Sequence, residues 1–166
     1  MTGNFVRDDL RAQTLIDLSR SFEDWRLYCD DPQSVFYDNL SLTSRVVLPL
    51  VCELVNRSSS KGLVMVGTMS PLCVEALGEW PVIEFVDGFD ANLFGRLFYK
   101  GGPDSIGDSH ESFVLFAPDG EWYAYSSRDV ELMAFNAPRN HQLLSAFEGE
   151  YERWGALKIL RDAGKC

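Results

Sequence analysis

Residues 117–135 read APDGEWYAYSSRDVELMAF, and within them two aromatic or apolar runs flank a centre of hydroxyls and charges. Trp122, Tyr123, Tyr125 and Phe135 are side chains that favour strands. Asp119-Gly120 is a strong hairpin signal, because glycine accepts the positive φ that a tight turn demands. FVLFA before it and WYAYS after it read as paired strands, with VELMAF as the next strand of a meander. The centre, SSRD (126–129), admits a catalytic reading with Ser126 or Ser127 as nucleophile. No histidine lies nearby and there is no G-x-S-x-G elbow. A turn in which serine and aspartate bond their own backbone explains these residues more cheaply.

Helices are expected on either side of the strands. Leu15, Leu18, Phe22, Trp25 and Cys29 repeat at alternating spacings of three and four, which predicts one amphipathic helix over 10–28. Pro32 ends it. Val46, Val47, Leu50, Val51, Leu54 and Val55 recur as pairs four apart and predict a second helix over 44–57. Thr43 or Ser44 would cap it, and Pro49 either sits in its first turn or kinks it. LVMVG (63–67) reads as a strand buried on both faces, and PVIEFV (81–86) as another. SPLCVEALG (70–78) fits a short helix, and NLFGRLFY (92–99) suits helix or strand. KGGPDSIGDSHES (100–112) reads as a long loop. Leu143, Leu144 and Phe147, then Trp154, Leu157 and Leu160, have helical spacing. Helices followed by strands and then helices predict one α+β domain over 1–166, an antiparallel sheet packed against N-terminal and C-terminal helices.

The chain has 166 residues, 25 acids and 15 bases, for a net charge of −10. That field repels nucleic-acid phosphates and anionic membranes and attracts basic partners. Between Glu79 and Glu111 there are seven acids against two bases. No apolar run approaches the ~20 residues of a membrane helix. The N-terminus lacks the basic and apolar regions of a secretory signal, so a cytoplasmic location is expected.

Signals for chemistry are sparse. Cys29, Cys52, Cys73 and Cys166 form no C-x-x-C pair, so free thiols are expected, with no zinc site and no disulfide. Asp108, His110 and Glu111 cluster in the GDSHE loop, and Asp-x-His places two ligands on one face only in a strand. The adjacent pairs Asp8-Asp9 and Asp30-Asp31 suit helix capping better than a shared cleft. GLVMVGTMSP has neither phosphate-binding glycine pattern. No cofactor and no metal ligand set is expected. The aromatics have no accompanying basic patch for stacking nucleic-acid bases.

The strand–turn–strand GEWYAYSSRDVELMAF (120–135), with the acidic surroundings and the size of the chain, resembles a pattern common in small bacterial immunity proteins. Those are cytoplasmic antidotes that bind a cognate toxin and block it. The resemblance implies a protein without enzymatic activity that inhibits a basic protein partner; it carries over no individual residue. The acidic segment and the aromatic sheet supply the partner-binding candidates: Glu84, Asp87, Asp90, Asp104, Asp108, Glu111, Trp122 and Tyr125. Three alternatives stand beside it. One is a phage-encoded acidic mimic of nucleic acid. Another is a regulatory module binding a small molecule or peptide in an aromatic pocket. The third is a hydrolase assembled from distant residues, with His110 or His141.

Overall fold

In the computed structural model, residues 9–38, 47–68, 82–86, 88–94 and 112–166 are described. The chain runs α1 (Asp9–Phe22), α2 (Arg26–Cys29), β1 (Val35–Asp38), α3 (Val47–Arg57), β2 (Leu63–Thr68), β3 (Val82–Phe85), β4 (Ser112–Phe116), β5 (Tyr123–Ser127), β6 (Leu132–Asn136), a 3-10 turn (His141–Leu143) and α4 (Arg153–Asp162). The six strands form one sheet in the order β1-β6-β5-β4-β2-β3, antiparallel at every pairing. The architecture is α+β, as the sequence predicts.

The β4–β5 hairpin forms where Asp119-Gly120 places it. Gly120 has φ +71°. Its N–H donates to the Ala117 carbonyl at 2.8 Å, and the Glu121 N–H donates to Asp119 Oδ1 at 3.0 Å. The register then pairs Phe116 with Tyr123 and Ser112 with Ser127. The next turn is tighter than SSRD implies. Ser126 and Ser127 belong to β5, and the reversal is made by Arg128–Glu131, with Glu131 at φ +54°.

Both faces of the sheet are covered. Strand side chains alternate, so neighbours in sequence enter opposite cores. On one face, α3 packs Val47, Leu50, Val51, Leu54 and Val55 against a cluster that includes Leu63, Met65, Phe85, Leu115, Met133 and Phe135. On the other, Leu15, Ile16, Trp25, Tyr28, Ala156 and Leu160 meet Phe36, Val64, Val66, Val114, Phe116, Tyr123, Leu132 and Ala134. Each large apolar side chain so buried contributes about 1.5–3 kcal/mol. The two expected N-terminal helices therefore lie in different layers.

The helix expected over 10–28 is two helices. Asp24 breaks it: its Oδ1 accepts the Arg26 N–H at 3.0 Å, restarting the chain as α2. Within α1 itself the buried line follows Leu15, Ile16 and Ser19 rather than Leu18. Ile16 and Ser19 are buried, whereas Leu18 is 42% exposed. Phe22 is half-buried and stacks on Tyr123 at 4.3 Å. Pro49 is exposed near the described start of α3. Residues 91–94 are helical, which resolves the first part of NLFGRLFY. Segment 70–78, the caps Thr43 and Ser44, and residues 100–111 lie outside the described residues.

The cysteine expectation is overturned. Cys29 and Cys166 are joined in a disulfide, with Cα atoms 6.2 Å apart and 137 positions between them in sequence. Spacing rules look for close pairs and do not see such a link. Cys52 is free, and partial burial raises its thiol pKa. Cys73 lies outside the described residues. Among the described residues, no helix is long and apolar enough to cross a membrane.

Candidate functional site

The residues singled out for partner contact disperse in the fold. Glu84 points into the α1 face of the sheet, its side chain 5% exposed, and forms an ion pair with Arg11. It is a buried structural acid, not a surface charge. Trp122 is fully buried in the α3 core. Tyr125 is half-buried, with its ring 4.9 Å from Trp25 and its hydroxyl bonded to Ser127 and Ser112. The aromatic sheet face is thus covered by helices. Alternation explains the outcome: a sheet with helices on both sides has no solvent face to display aromatics. Asp90 is exposed, but its Oδ1 caps residues 91–94 by accepting the N–H groups of Asn92 and Leu93, both at 2.9 Å. Asp87, Asp104, Asp108, Glu111 and His110 lie outside the described residues.

Two other surfaces carry the described polar chemistry. The first is an acidic rim beside β1. The segment 148–152 lines the outer edge of that strand. The Tyr151 N–H donates to the Phe36 carbonyl at 3.2 Å, and Glu150 Oε2 accepts the Asp38 N–H at 2.9 Å. Tyr37 donates its hydroxyl to the Glu148 carbonyl at 2.9 Å. Burial first, then the negative charges of Asp38, Glu150 and Glu131, raise the Tyr151 pKa. Trp154 follows at the start of α4. It is 68% exposed, and its indole N–H donates to Glu152 at 3.1 Å. The only base in 148–154, Arg153, is turned inward and donates to the carbonyls of Tyr28 and Cys29.

The second is an open cleft of about 520 Å³ where α2 gives way to β1. Its wall comes from Leu27, Asp30, Asp31, Pro32 and Gln33; across from these stand Tyr123, Asn136, Pro138 and His141. Asp31 starts a turn, its Oδ1 accepting the Gln33 N–H at 2.8 Å and its carbonyl the Ser34 N–H at 3.2 Å. The Asp31 Oδ2 stands 3.9 Å from His141 Nδ1, too far for a direct hydrogen bond. The nearby Asp31 charge adds to burial in raising the Tyr123 pKa. Asn136 is 1% exposed. Its amide nitrogen donates to the Leu27 carbonyl at 2.9 Å and to Ser34 Oγ at 3.1 Å. The Leu27 carbonyl accepts only, so it fixes which way the amide points. Asn136 Oδ1 is then left buried without a donor. An orphaned acceptor of this kind costs about 1–3 kcal/mol.

No local sequence pattern marks this cleft. Neighbours such as Asp30 and Asp31 diverge on a regular element. Here they sit in an irregular turn, and both line the cleft. His141 is expected only as a member of a site assembled from distant residues, and no sequence signal marks Asn136. Among the described residues, no group of three or more ligating side chains is placed to hold a metal ion. Comparison of the chain with protein-family models, with curated proteins and with solved structures gives no match. The class is therefore defined by architecture alone, an α+β domain whose antiparallel sheet lies between two helical layers.

Proposed function

We propose that this is an acidic binding protein that inhibits a basic protein partner, in the manner of an immunity protein neutralising a bacterial toxin. The observation that carries the reading is Trp154, an exposed indole on a rim bearing Glu148, Glu150, Glu152, Asp38 and Glu131. An aromatic anchor supplies the desolvated centre that dominates interface energy. The surrounding carboxylates steer a cationic target and reject anionic ones. The net charge of −10 acts in the same direction over longer range. The contact face thus moves from Trp122 and Tyr125, which the fold buries, to the rim. The acids of 87–111 outside the described residues remain part of the proposed field.

The test compares the protein with a Glu148→Lys/Glu152→Lys/Trp154→Ala variant, each immobilised and exposed to extract of the native host. The expected result is a stoichiometric basic protein held by the unaltered chain and lost from the variant. Retention should fall between about 20 and 200 mM salt, as the screening length shortens, and the captured protein's toxicity should be suppressed in the complex. A partner that is not basic, or equal retention by the variant, would overturn the reading.

A further inference from the structure

We infer that the Cys29–Cys166 disulfide is a redox clasp on α4: a dithiol reductant opens it, and the helix that carries Trp154 then opens more readily. The inference rests on the proposed binding function and names how it is regulated. α4 has 10 residues. A helix that short is marginal alone in water, so its ties to the rest of the fold decide whether it stays in place. Those ties are few. Ala156 and Leu160 are buried, but Trp154 and Ile159 are exposed, and Arg161 to Cys166 are exposed throughout. At the start of the helix, Arg153 donates to the carbonyls of Tyr28 and Cys29. Past its end, the Lys165 N–H returns to the Leu160 carbonyl at 2.8 Å and the Gly164 N–H to the Arg161 carbonyl at 2.9 Å, with Gly164 at φ +69°. This left-handed glycine turn reverses the chain and brings Cys166 to Cys29. Cys29 thus fastens α4 on both sides, through its carbonyl to Arg153 and through its sulfur to Cys166.

The clasp is open to attack. Cys166 is exposed and Cys29 half-buried, and exposed disulfides are the labile ones that serve regulation. One thiolate of the dithiol attacks the Cys166 sulfur. The S–S bond breaks with its electron pair leaving on Cys29, which takes up a proton. The second thiolate of the reductant then attacks the mixed disulfide and releases Cys166 as a thiol. Two electrons and two protons pass to the chain, and the dithiol closes to its own disulfide. Without the link, no buried side chain holds the chain beyond Leu160. Local opening of α4 then costs less than unfolding of the domain. Trp154 lies in its first turn, so the rim loses the fixed pose of its aromatic anchor.

Hydrogen exchange followed by mass spectrometry on the full chain tests the clasp without a partner. After treatment with dithiothreitol, the α4 amides should exchange at least ~10-fold faster while the β4–β5 hairpin keeps its protection. Re-oxidation should restore the slow exchange. Cys166→Ser should reproduce the reduced pattern without reductant, and dithiothreitol should not change it further, which separates this link from the free Cys52. Unchanged α4 exchange on reduction would overturn the inference. So would loss of protection through the whole chain at once, because the link would then hold the entire fold rather than one helix. For the regulation, the basic protein retained from host extract is applied to the immobilised oxidised chain and to the immobilised Cys166→Ser chain. The variant should hold it at least ~10-fold more weakly. Equal retention would overturn the control of binding. If neither chain retains a basic protein, the binding function and its control both fall, and the exchange result alone decides the clasp.

Discussion

Arg11 of α1 and Glu84 of β3 form an ion pair across 73 positions of sequence, and the glutamate side chain is 5% exposed. Arg11 is the half-exposed member, so the pair fastens the N-terminal helix to the outer strand of the sheet. Removing the arginine leaves a carboxylate buried against apolar neighbours. Arg11→Ala should destabilise by about 2 kcal/mol, below the ~3–5 of a fully buried pair because water reaches one partner. Arg11→Met with Glu84→Leu should recover most of that loss. Urea unfolding measures both, and a double variant as unstable as the single one would refute the account.

The two tryptophans flanking the last strands should behave oppositely. Trp122 fills the α3 core, so Trp122→Ala should cost about 3–5 kcal/mol. Trp154 is 68% exposed, and Trp154→Ala should change stability by less than ~0.5 kcal/mol. The comparison is read from denaturation midpoints of the two variants.

Reduction should matter to stability. The Cys29–Cys166 link closes a loop spanning 137 positions, and chain entropy sets its contribution at about 4–5 kcal/mol at most. Melting should fall by roughly 10 °C in reductant. Ala156 and Leu160 still pack against the sheet, so secondary structure should persist. Peptide mapping under non-reducing conditions that recovers Cys29 and Cys166 as separate thiol peptides would contradict the link.

Alkaline pH should unfold the protein. Burial, aided by Glu150, pushes Tyr37 up to about 12. Burial, with the charges of Tyr123, Tyr125 and Glu23, raises Tyr28 well above 10.0. A phenol whose folded pKa exceeds its unfolded one loses its proton first in the unfolded chain. The associated stability is complete below pH 10 and is lost as pH rises toward 12. Tyrosinate absorbance should therefore rise together with loss of far-UV signal over that window. Ionisation of every tyrosine near pH 10 with the fold intact would show that the rings are not buried as described.

How far the sequence foretold this varies by residue. Asp119-Gly120 between aromatic runs specifies its hairpin locally, and the paired apolar positions of α3 define its buried face. The N-terminal stripe misleads because Trp25 continues the spacing of Leu18 and Phe22 across a break made by Asp24. At the other end, Trp154 falls in register with Leu157 and Leu160. However, about 100° per residue sets the buried line at Ala156 and Leu160 and turns Trp154 outward. Asn136 and Leu27 meet across 109 positions. No local pattern encodes such a contact, because it depends on which strand β6 joins.

The seam between the 149–151 segment and β1 guards the molecule against its own kind. An outermost strand with free backbone groups is a template for other chains. Here Tyr151 occupies the Phe36 carbonyl and Glu150 the Asp38 N–H. Gly149 permits the approach, since a Cβ there would stand 2.5 Å from the Phe36 carbonyl oxygen. A side chain at that position would lift the seam and bare the strand. The same few residues would then decide whether the protein stays dispersed at high concentration or stacks edge to edge into fibres.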